Sequence, residues 1–185
     1  MSVKRIQTPL DDATIVSLKS GERVLISGII YTARDAAHKR MIELIERNEP
    51  LPIPLQGQVI YYAGPAPAPP GCVIGSIGPT TAGRMDSFTP ELLAKGLKGM
   101  IGKGKRTPQV RQACQQEKAV YFAAVGGAAA LMAQSVINCE LLAWEELGPE
   151  AIYALTVRDL PVIVVNDCDG NDLYEQRSLP TGRSR

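Results

Sequence analysis

The sequence contains few aromatic residues, no excess of either charge and a single histidine. Aromatic residues make up 5% of the 185 residues, and 20 Lys and Arg residues offset 19 Asp and Glu residues to a formal charge of +1. Proteins that bind nucleic acid or an anionic membrane need a basic surface, and many that bind single strands also need stacking aromatic side chains. The composition therefore argues against both kinds of partner.

The sequence also contains no long apolar run. Its longest small-apolar stretch covers residues 119–133, whereas a membrane-spanning helix needs about 18 or more consecutive apolar residues. Gly126 and Gly127 interrupt this stretch without the glycine spacing of a dinucleotide-binding loop, and they indicate tight packing between a strand and a helix. Since the N-terminus has no apolar core of a signal peptide, we expect a cytoplasmic protein.

The cysteines have no metal-binding spacing. Cys72, Cys114, Cys139 and Cys168 are widely separated, and no two form a Cys-x-x-Cys pair. Isolated cysteines in a reducing compartment usually behave as small apolar residues. Buried, reduced thiols are therefore favoured over a metal site.

Length and periodicity predict one α/β domain. A chain of this size, 45% hydrophobic, builds one sizeable core, which we assign to residues 1–176, and the polar residues 177–185 are predicted to be a disordered tail. Alternation predicts a strand at 23–31, and a 3.6-residue period predicts a helix at 33–48. The apolar run at 160–166 is typical of a buried parallel strand. Further strands are predicted at 59–63, 97–101, 119–123 and 136–144, and helices at 90–95, 108–117, 128–135 and 149–155.

The most informative segment is GPTTAGRMDS, residues 78–87. It follows a β-rich segment at 72–77, and its Gly-Pro break predicts a helix start directly afterwards. Free backbone amides at such a start, the hydroxyls of Thr80 and Thr81, and Arg84 one turn later would together suit a carboxylate or a phosphate. From spacing alone, an ordinary threonine cap followed by a surface arginine explains the segment equally well.

This segment is similar to the signature of the β part of class I, iron–sulfur-dependent fumarate hydratases and the related tartrate dehydratases. The segments TARDAAH (32–38), GKG (102–104), and VVND (164–167) with GNDL (170–173) match the same family in the same order. The resemblance covers roughly residues 6–174. Ala82 and Gly83 look more like the fumarate hydratase branch than the tartrate branch.

Two further cations stand at predicted strand ends. Arg34 lies at a strand-to-helix junction, where a lone arginine opposes the helix dipole, and Lys103 lies between two glycines. Both have an alternative interpretation as ordinary surface charge. The resemblance implies that Arg34 binds a substrate carboxylate and that Lys103 is the active-site lysine, and it leaves Lys105 and Arg106 as surface charge. With Arg84, these residues are expected to bind the carboxylates of a small dianion.

The resemblance also implies roles near the reacting carbon. It assigns Thr80 as the base that takes the C3 proton, with Thr81 and Asp86 shaping the loop. A threonine hydroxyl is a poor base unless neighbouring cations stabilise its alkoxide and water is excluded. His38, one turn after Arg34, is either a structural histidine or one that faces a partner.

The family's fold and partner follow from the same resemblance. It implies a swivelling β/β/α domain with a mixed sheet and flanking helices, and a [4Fe-4S] cluster held by a separate iron–sulfur α subunit rather than by this chain. The iron of that cluster would act as a Lewis acid on the hydroxyl group. The expected function is that of the β subunit of class I fumarate hydratase, in a homodimer or an α2β2 assembly. The alternatives are an L(+)-tartrate dehydratase β subunit and a non-catalytic dicarboxylate-binding module.

Overall fold

The computed structural model describes residues 3–124 and 129–176, so the predicted Gly126–Gly127 turn and the predicted tail lie outside the described residues. No helix within the described ranges is long and apolar enough to cross a membrane. The strands are β1 (Lys4–Gln7), β2 (Arg23–Thr32), β3 (Val59–Tyr61), β4 (Gly99–Gly102), β5 (Val120–Ala124), β6 (Val136–Ala143) and β7 (Ile152–Asn166). The helices are α1 (Asp12–Ser17), α2 (Asp35–Glu46), α3 (Thr89–Ala94), α4 (Pro108–Gln116), α5 (Ala129–Gln134) and α6 (Leu173–Gln176), with 3₁₀ helices at Ala82–Met85 and Glu145–Glu150.

Five of these strands close into a mixed barrel. β2, β3, β4 and β5 are parallel neighbours, and β7 runs antiparallel to both β5 and β2, which joins the two ends of the sheet. β1 adds to β2 in parallel, and β6 adds to β7 in antiparallel fashion. The predicted α/β class, mixed sheet and flanking helices are therefore confirmed, and the sheet is in addition closed.

The alternation of side chains along the strands separates two apolar clusters. One cluster takes residues from all five barrel strands and fills the barrel, as Ile26, Val59 and Phe122 do. The other joins the opposite faces of β3, β4 and β5 to the helices α2, α3 and α4 and so lies outside the barrel. Successive residues of a strand point to opposite faces, which is why Ile60 and Tyr121 belong to this outer layer.

Several local predictions are wrong. The predicted helix at 149–155 is instead the end of a 3₁₀ helix followed by the start of the long strand β7. The predicted strand at 160–166 is confirmed as the second half of β7, but it is antiparallel rather than parallel to its neighbours. Pairing with three strands outweighs the local helical pattern there. Residues 72–77 form no strand but hydrogen-bond to the proline-rich loop before them, through Ala66 and Ser76. β1 and α1 have no counterpart among the predicted elements.

Candidate functional site

The predicted site residues follow the carboxyl ends of neighbouring parallel strands. In the barrel, Thr32 at the end of β2 pairs with Tyr61 of β3, and Tyr61 pairs with Ile101 near the end of β4. Arg34 and Lys103 come directly after two of these strand ends. Because the carboxyl ends of parallel strands meet at one edge of a sheet, both cations emerge at the same rim of the barrel.

The segment that carries Thr80 is wedged between β3 and β4 at this rim. The backbone N–H of Thr80 donates to the carbonyl oxygen of Tyr62 at 2.7 Å, and the N–H of Lys103 donates to the carbonyl oxygen of Thr80 at 3.1 Å. The N–H of Ala82 donates in turn to Lys103 at 2.8 Å. Only a glycine fits at Gly102 beside this wedge, since a Cβ there would lie 2.9 Å from the Tyr62 ring and 3.1 Å from the Cβ of Ala82.

The predicted helix start after Gly-Pro is absent. Thr80 lies in this extended wedge, and the turn that follows is a four-residue 3₁₀ helix whose N-cap, Thr81, makes no side-chain cap hydrogen bond. The amides of Thr80 and Ala82 are both taken by backbone carbonyls. These two amides are therefore not free to bind an anion.

The Thr80 hydroxyl has a fixed orientation. Its Oγ1 donates to the carbonyl oxygen of Tyr62 at 3.0 Å, so the hydroxyl proton points into the protein. The lone pairs of Oγ1 then face away from this carbonyl. An alkoxide would lose the hydrogen bond, so the backbone positions the oxygen but does not help to deprotonate it.

Arg34 occupies the N-cap position of α2. Its Nη2 lies 3.2 Å from Oε1 of Glu150, whose Oε2 accepts a hydrogen bond from the N–H of Ala36 at 3.1 Å. Glu150 therefore caps the helix and neutralises the arginine that opposes the dipole. The Nε of Arg34 is buried and has no hydrogen-bond partner among the described residues, whereas the side chain as a whole is 22% exposed. A ligand can therefore approach the exposed part of the guanidinium but not Nε.

The 3₁₀ helix that carries Glu150 packs along α2. Glu146 of this helix pairs with Arg40, and the guanidinium of Arg40 lies 5.5 Å from the ring centroid of Trp144, the residue before the helix. Both contacts are made by Arg40, which lies six residues after Arg34 on α2. Glu150 is therefore held in place from a second element, independently of the loop at 78–87.

Arg84 reaches the same end of α2. Its Nη2 lies 2.9 Å from Oδ2 of Asp35, the residue next to Arg34, and its side chain is 55% exposed. Lys103 is also exposed, and its ammonium pairs with no carboxylate in residues 3–124 and 129–176. Gly104 follows with φ +86, a backbone conformation that favours glycine, and it turns the chain after Lys103. The structure thus brings Arg34, Arg84, Lys103 and Thr80 to one rim.

Arg106 is not a surface charge, and that prediction is wrong. Its side chain is 0% exposed, and its Nε lies 2.6 Å from Oδ1 of Asp86. Burial works to lower the pKa of Arg106, but Tyr62, Asp86 and Tyr121 outweigh it and raise the pKa above its usual value. No local pattern in the sequence signals this, because the partners come from distant segments of the chain.

His38 is buried, which favours the structural alternative over the partner-facing one. Its Nδ1 lies 2.9 Å from the carbonyl oxygen of Arg34, and its ring meets the Tyr62 ring edge-on at 5.3 Å between centroids. Burial lowers the pKa of His38 from 6.5 to about 4, so the ring is neutral at pH 7. Since a carbonyl oxygen only accepts, Nδ1 carries the proton and holds the first turn of α2.

The cysteines do not form a metal centre in the described part of the chain. No three His, Cys, Asp or Glu side chains of those residues lie together in a way that could hold a metal ion. Only Cys114 is fully buried, which raises the pKa of its thiol to about 12, whereas Cys72 is exposed and Cys139 and Cys168 are half-buried. The prediction of four buried thiols is therefore wrong for three of them.

A separate cleft of about 340 Å³ lies beside the proline-rich loop. Its lining includes Pro65, Pro67, Ile74, Pro149 and Tyr153, and it contains no Lys or Arg side chain. A doubly negative ligand would find no opposite charge there. The rim with the three cations is therefore the better candidate site for an acid.

Comparison with known proteins identifies the family of this chain. The chain belongs to the family of class I fumarate hydratases and tartrate dehydratases. Within that class it belongs to the family described as "Fumarase C-terminus", which matches residues 2–177. It is homologous both to the C-terminal region of class I fumarate hydratases and to tartrate dehydratase β subunits.

Individual relatives come from both branches. The aerobic class I fumarate hydratase of Escherichia coli (strain K12) is 42% identical over 159 residues, which are 85% of this chain and 29% of that protein. Fumarate hydratase 2 of Leishmania major is 42% identical over 158 residues, 84% of this chain and 28% of that protein. The L(+)-tartrate dehydratase subunit beta of E. coli (strain K12) is 35% identical over 178 residues, 94% of this chain and 87% of that subunit. The chain thus spans less than a third of the fumarate hydratases and most of the tartrate dehydratase subunit.

Proposed function

We propose that this chain is the β subunit of a two-subunit class I fumarate hydratase, which interconverts fumarate plus water and L-malate together with an iron–sulfur α subunit. The observation that supports the proposal is that the segments carrying Arg34, Arg84, Lys103 and Thr80 lie at one rim of the barrel. Three cations suit a small dianion such as a C4 dicarboxylate. Arginine suits it best, because a planar guanidinium meets a carboxylate with two hydrogen bonds.

In this proposal the cations bind and orient the two carboxylates. The Arg34 side chain is 22% exposed, the Arg84 side chain is 55% exposed, and the exposed Lys103 ammonium pairs with no carboxylate of the described residues, so a ligand can reach each cation. Fixing both carboxylates presents C3 to the Thr80 oxygen, which would take the proton as base. Lys103 and Arg84 would stabilise the alkoxide that this role requires, and Thr81 and Asp86 would keep the loop in shape.

The remaining chemistry is assigned to the partner. No three His, Cys, Asp or Glu side chains of the described residues are grouped as metal ligands, and in this proposal a [4Fe-4S] cluster and its Lewis-acid chemistry belong to the α subunit. Arg84 and Lys103 are exposed, so the rim is open to solvent. An open rim is expected for a site that is completed by a partner subunit. We further propose that the domain swivels against that partner to close the site, in a homodimer or an α2β2 assembly.

Tartrate is the second candidate substrate, because the chain matches almost the whole length of a tartrate dehydratase β subunit. The experiment is reconstitution of the purified chain with a cluster-loaded α subunit and assays with L-malate, fumarate and L(+)-tartrate. We expect the two subunits together to turn over malate and fumarate, and neither subunit to do so alone. Turnover by this chain alone would contradict the division of labour, and turnover of tartrate alone would favour the second candidate.

The role of Thr80 is tested with Thr80→Val and Thr80→Ser in the reconstituted enzyme. Loss of a positioned base lowers kcat by roughly 10²- to 10⁴-fold, so we expect that loss in T80V and a much smaller one in T80S, which keeps the hydroxyl. Deuterium exchange from solvent into C3 of malate should fall in parallel. The matched control is Thr156→Val on β7, where valine suits a strand. An unchanged rate in T80V would instead favour a non-catalytic dicarboxylate-binding module.

A further inference from the structure

Arg106 lies behind the rim, in the outer layer between the sheet and the helices. All three of its nitrogens have partners: Nε pairs with Asp86 at 2.6 Å, Nη2 donates to Oγ1 of Thr89 at 2.7 Å, and Nη1 lies 3.3 Å from the hydroxyl oxygen of Tyr62. Nη1 also lies 3.5 Å from the sulfur of Met100. The guanidinium of Arg106 therefore donates hydrogen bonds to partners on several sides.

Two tyrosine rings flank the same guanidinium. Its Cζ lies 5.3 Å from the ring centroid of Tyr62 and 4.9 Å from that of Tyr121. A planar, weakly hydrated cation fits between two rings, whereas the compact and strongly hydrated ammonium of lysine does not. The site is built for the shape of arginine and not for its charge alone.

The contacts of Arg106 tie together the segments that carry the proposed ligands. Asp86 directly follows the 3₁₀ turn that holds Arg84, and its second oxygen accepts a hydrogen bond from the N–H of Thr107 at 2.7 Å. Arg106 itself comes three residues after Lys103. Tyr62, which touches the guanidinium through its side chain, accepts both hydrogen bonds from Thr80 through its carbonyl oxygen.

We propose that Arg106 is a positioning residue that sets the relative placement of Arg84, Lys103 and Thr80. This inference rests on the proposed function of the rim. A buried ion pair adds little to stability, because the loss of hydration offsets most of the attraction between the charges. What this pair provides is geometry, since it connects the two loops and the end of β3 through one rigid group.

The test compares Arg106→Lys and Arg106→Met with Arg111→Met in the reconstituted enzyme. Arg111 on α4 is a matched control, because it also pairs with a carboxylate, Asp172, at 3.2 Å. Folding is checked by circular dichroism and thermal melting, and kcat and KM are measured well below the melting temperature of every variant. Under those conditions a purely structural residue changes the Tm but not the rate per folded molecule.

We expect R106K and R106M to remain folded with a lower Tm. Both should lose about 100-fold in kcat/KM for malate, through a higher KM as well as a lower kcat. The reason is that displaced cations bind both the substrate and the transition state less tightly. R111M should stay within about twofold of the wild type. If neither Arg106 variant folds, Asp86→Asn decides the question. D86N keeps the shape and loses the charge, and it should lower kcat/KM about tenfold.

The outcomes separate this inference from the proposed function. A wild-type pair that turns over none of the three acids would overturn the proposed function and this inference with it. An active wild type whose folded R106K or D86N variant keeps the wild-type kcat and KM would overturn this inference alone.

Discussion

The inside of the barrel and the layer outside it are both buried, but they hold different kinds of side chain. The cluster that fills the barrel consists of apolar residues such as Ile26, Val59 and Phe122. The outer layer includes the charged pair Arg106–Asp86 and the neutral ring of His38. Apolar burial is the main source of stability, and a buried polar group must find partners in fixed positions. We infer that the interior stabilises the domain, whereas the outer layer fixes the geometry of the rim.

The largest expected effect on stability comes from a substitution inside the barrel. Phe122→Ala removes a fully buried ring from the barrel and should lower the free energy of unfolding by about 3–5 kcal/mol, since a cavity adds to the lost burial. The measurement is urea denaturation at 25 °C. The rate per folded molecule should stay unchanged, in contrast to Arg106→Lys. A loss below about 1 kcal/mol would contradict the view that the interior carries the stability.

The next effect depends on pH and belongs to the outer layer. Burial lowers the pKa of His38 to about 4 from an unfolded value of 6.5, so the unfolded chain binds a proton first as the pH falls. His38 should therefore cause a loss of stability between pH 6.5 and 4, up to about 3 kcal/mol, and no further loss below that.

The matched variant is His38→Asn, which keeps a donor near the carbonyl oxygen of Arg34 but has no ring to protonate. Urea denaturation of both proteins at pH 7.0, 5.5 and 4.0 separates His38 from the carboxylates that titrate in the same range. The two proteins should differ in the pH dependence of their unfolding free energy. Parallel curves would contradict a neutral His38.

A smaller effect is expected at the junction of rim and helix. Glu150→Gln keeps the acceptor for the N–H of Ala36 but removes the charge that faces Arg34 and the start of α2. We expect a loss of about 0.5–1 kcal/mol in the free energy of unfolding, by urea denaturation at low salt, because a carboxylate at a helix start is stabilising. Glu146→Gln, whose side chain is 63% exposed, is the control and should lose less. If Glu146→Gln lost more unfolding free energy than Glu150→Gln, the effect would come from surface charge in general and not from the contact with Arg34.

The smallest effect lies outside both layers. Arg5 and Asp159 form a pair at 3.3 Å whose side chains are largely in solvent. Arg5→Gln should leave stability and rate unchanged within error, because solvent and salt screen such pairs. A clear loss in urea denaturation would show that surface pairs matter more here than the comparison of the two layers implies.

Local periodicity predicted the elements that depend on their own sequence. β2, α2 and α4 lie within a few residues of their predicted bounds because each carries a clear two-residue or 3.6-residue period. β7 was beyond such prediction, since its conformation depends on pairing with three distant strands. The candidate site rests on short motifs and not on the helix start inferred at Thr80. The burial of Arg106 depends on Asp86, twenty residues away in sequence, and on the rings of Tyr62, which follows β3, and Tyr121 of β5.

The 3₁₀ helix that carries Glu150 begins directly after Trp144, the single tryptophan of the chain. An acid that binds Arg34 competes with Glu150 for the same guanidinium, and any shift of this helix changes the surroundings of the indole ring. Fluorescence excited selectively at tryptophan thus offers a label-free titration of a ligand at the rim, with a single indole in this chain to interpret and no cluster chemistry required.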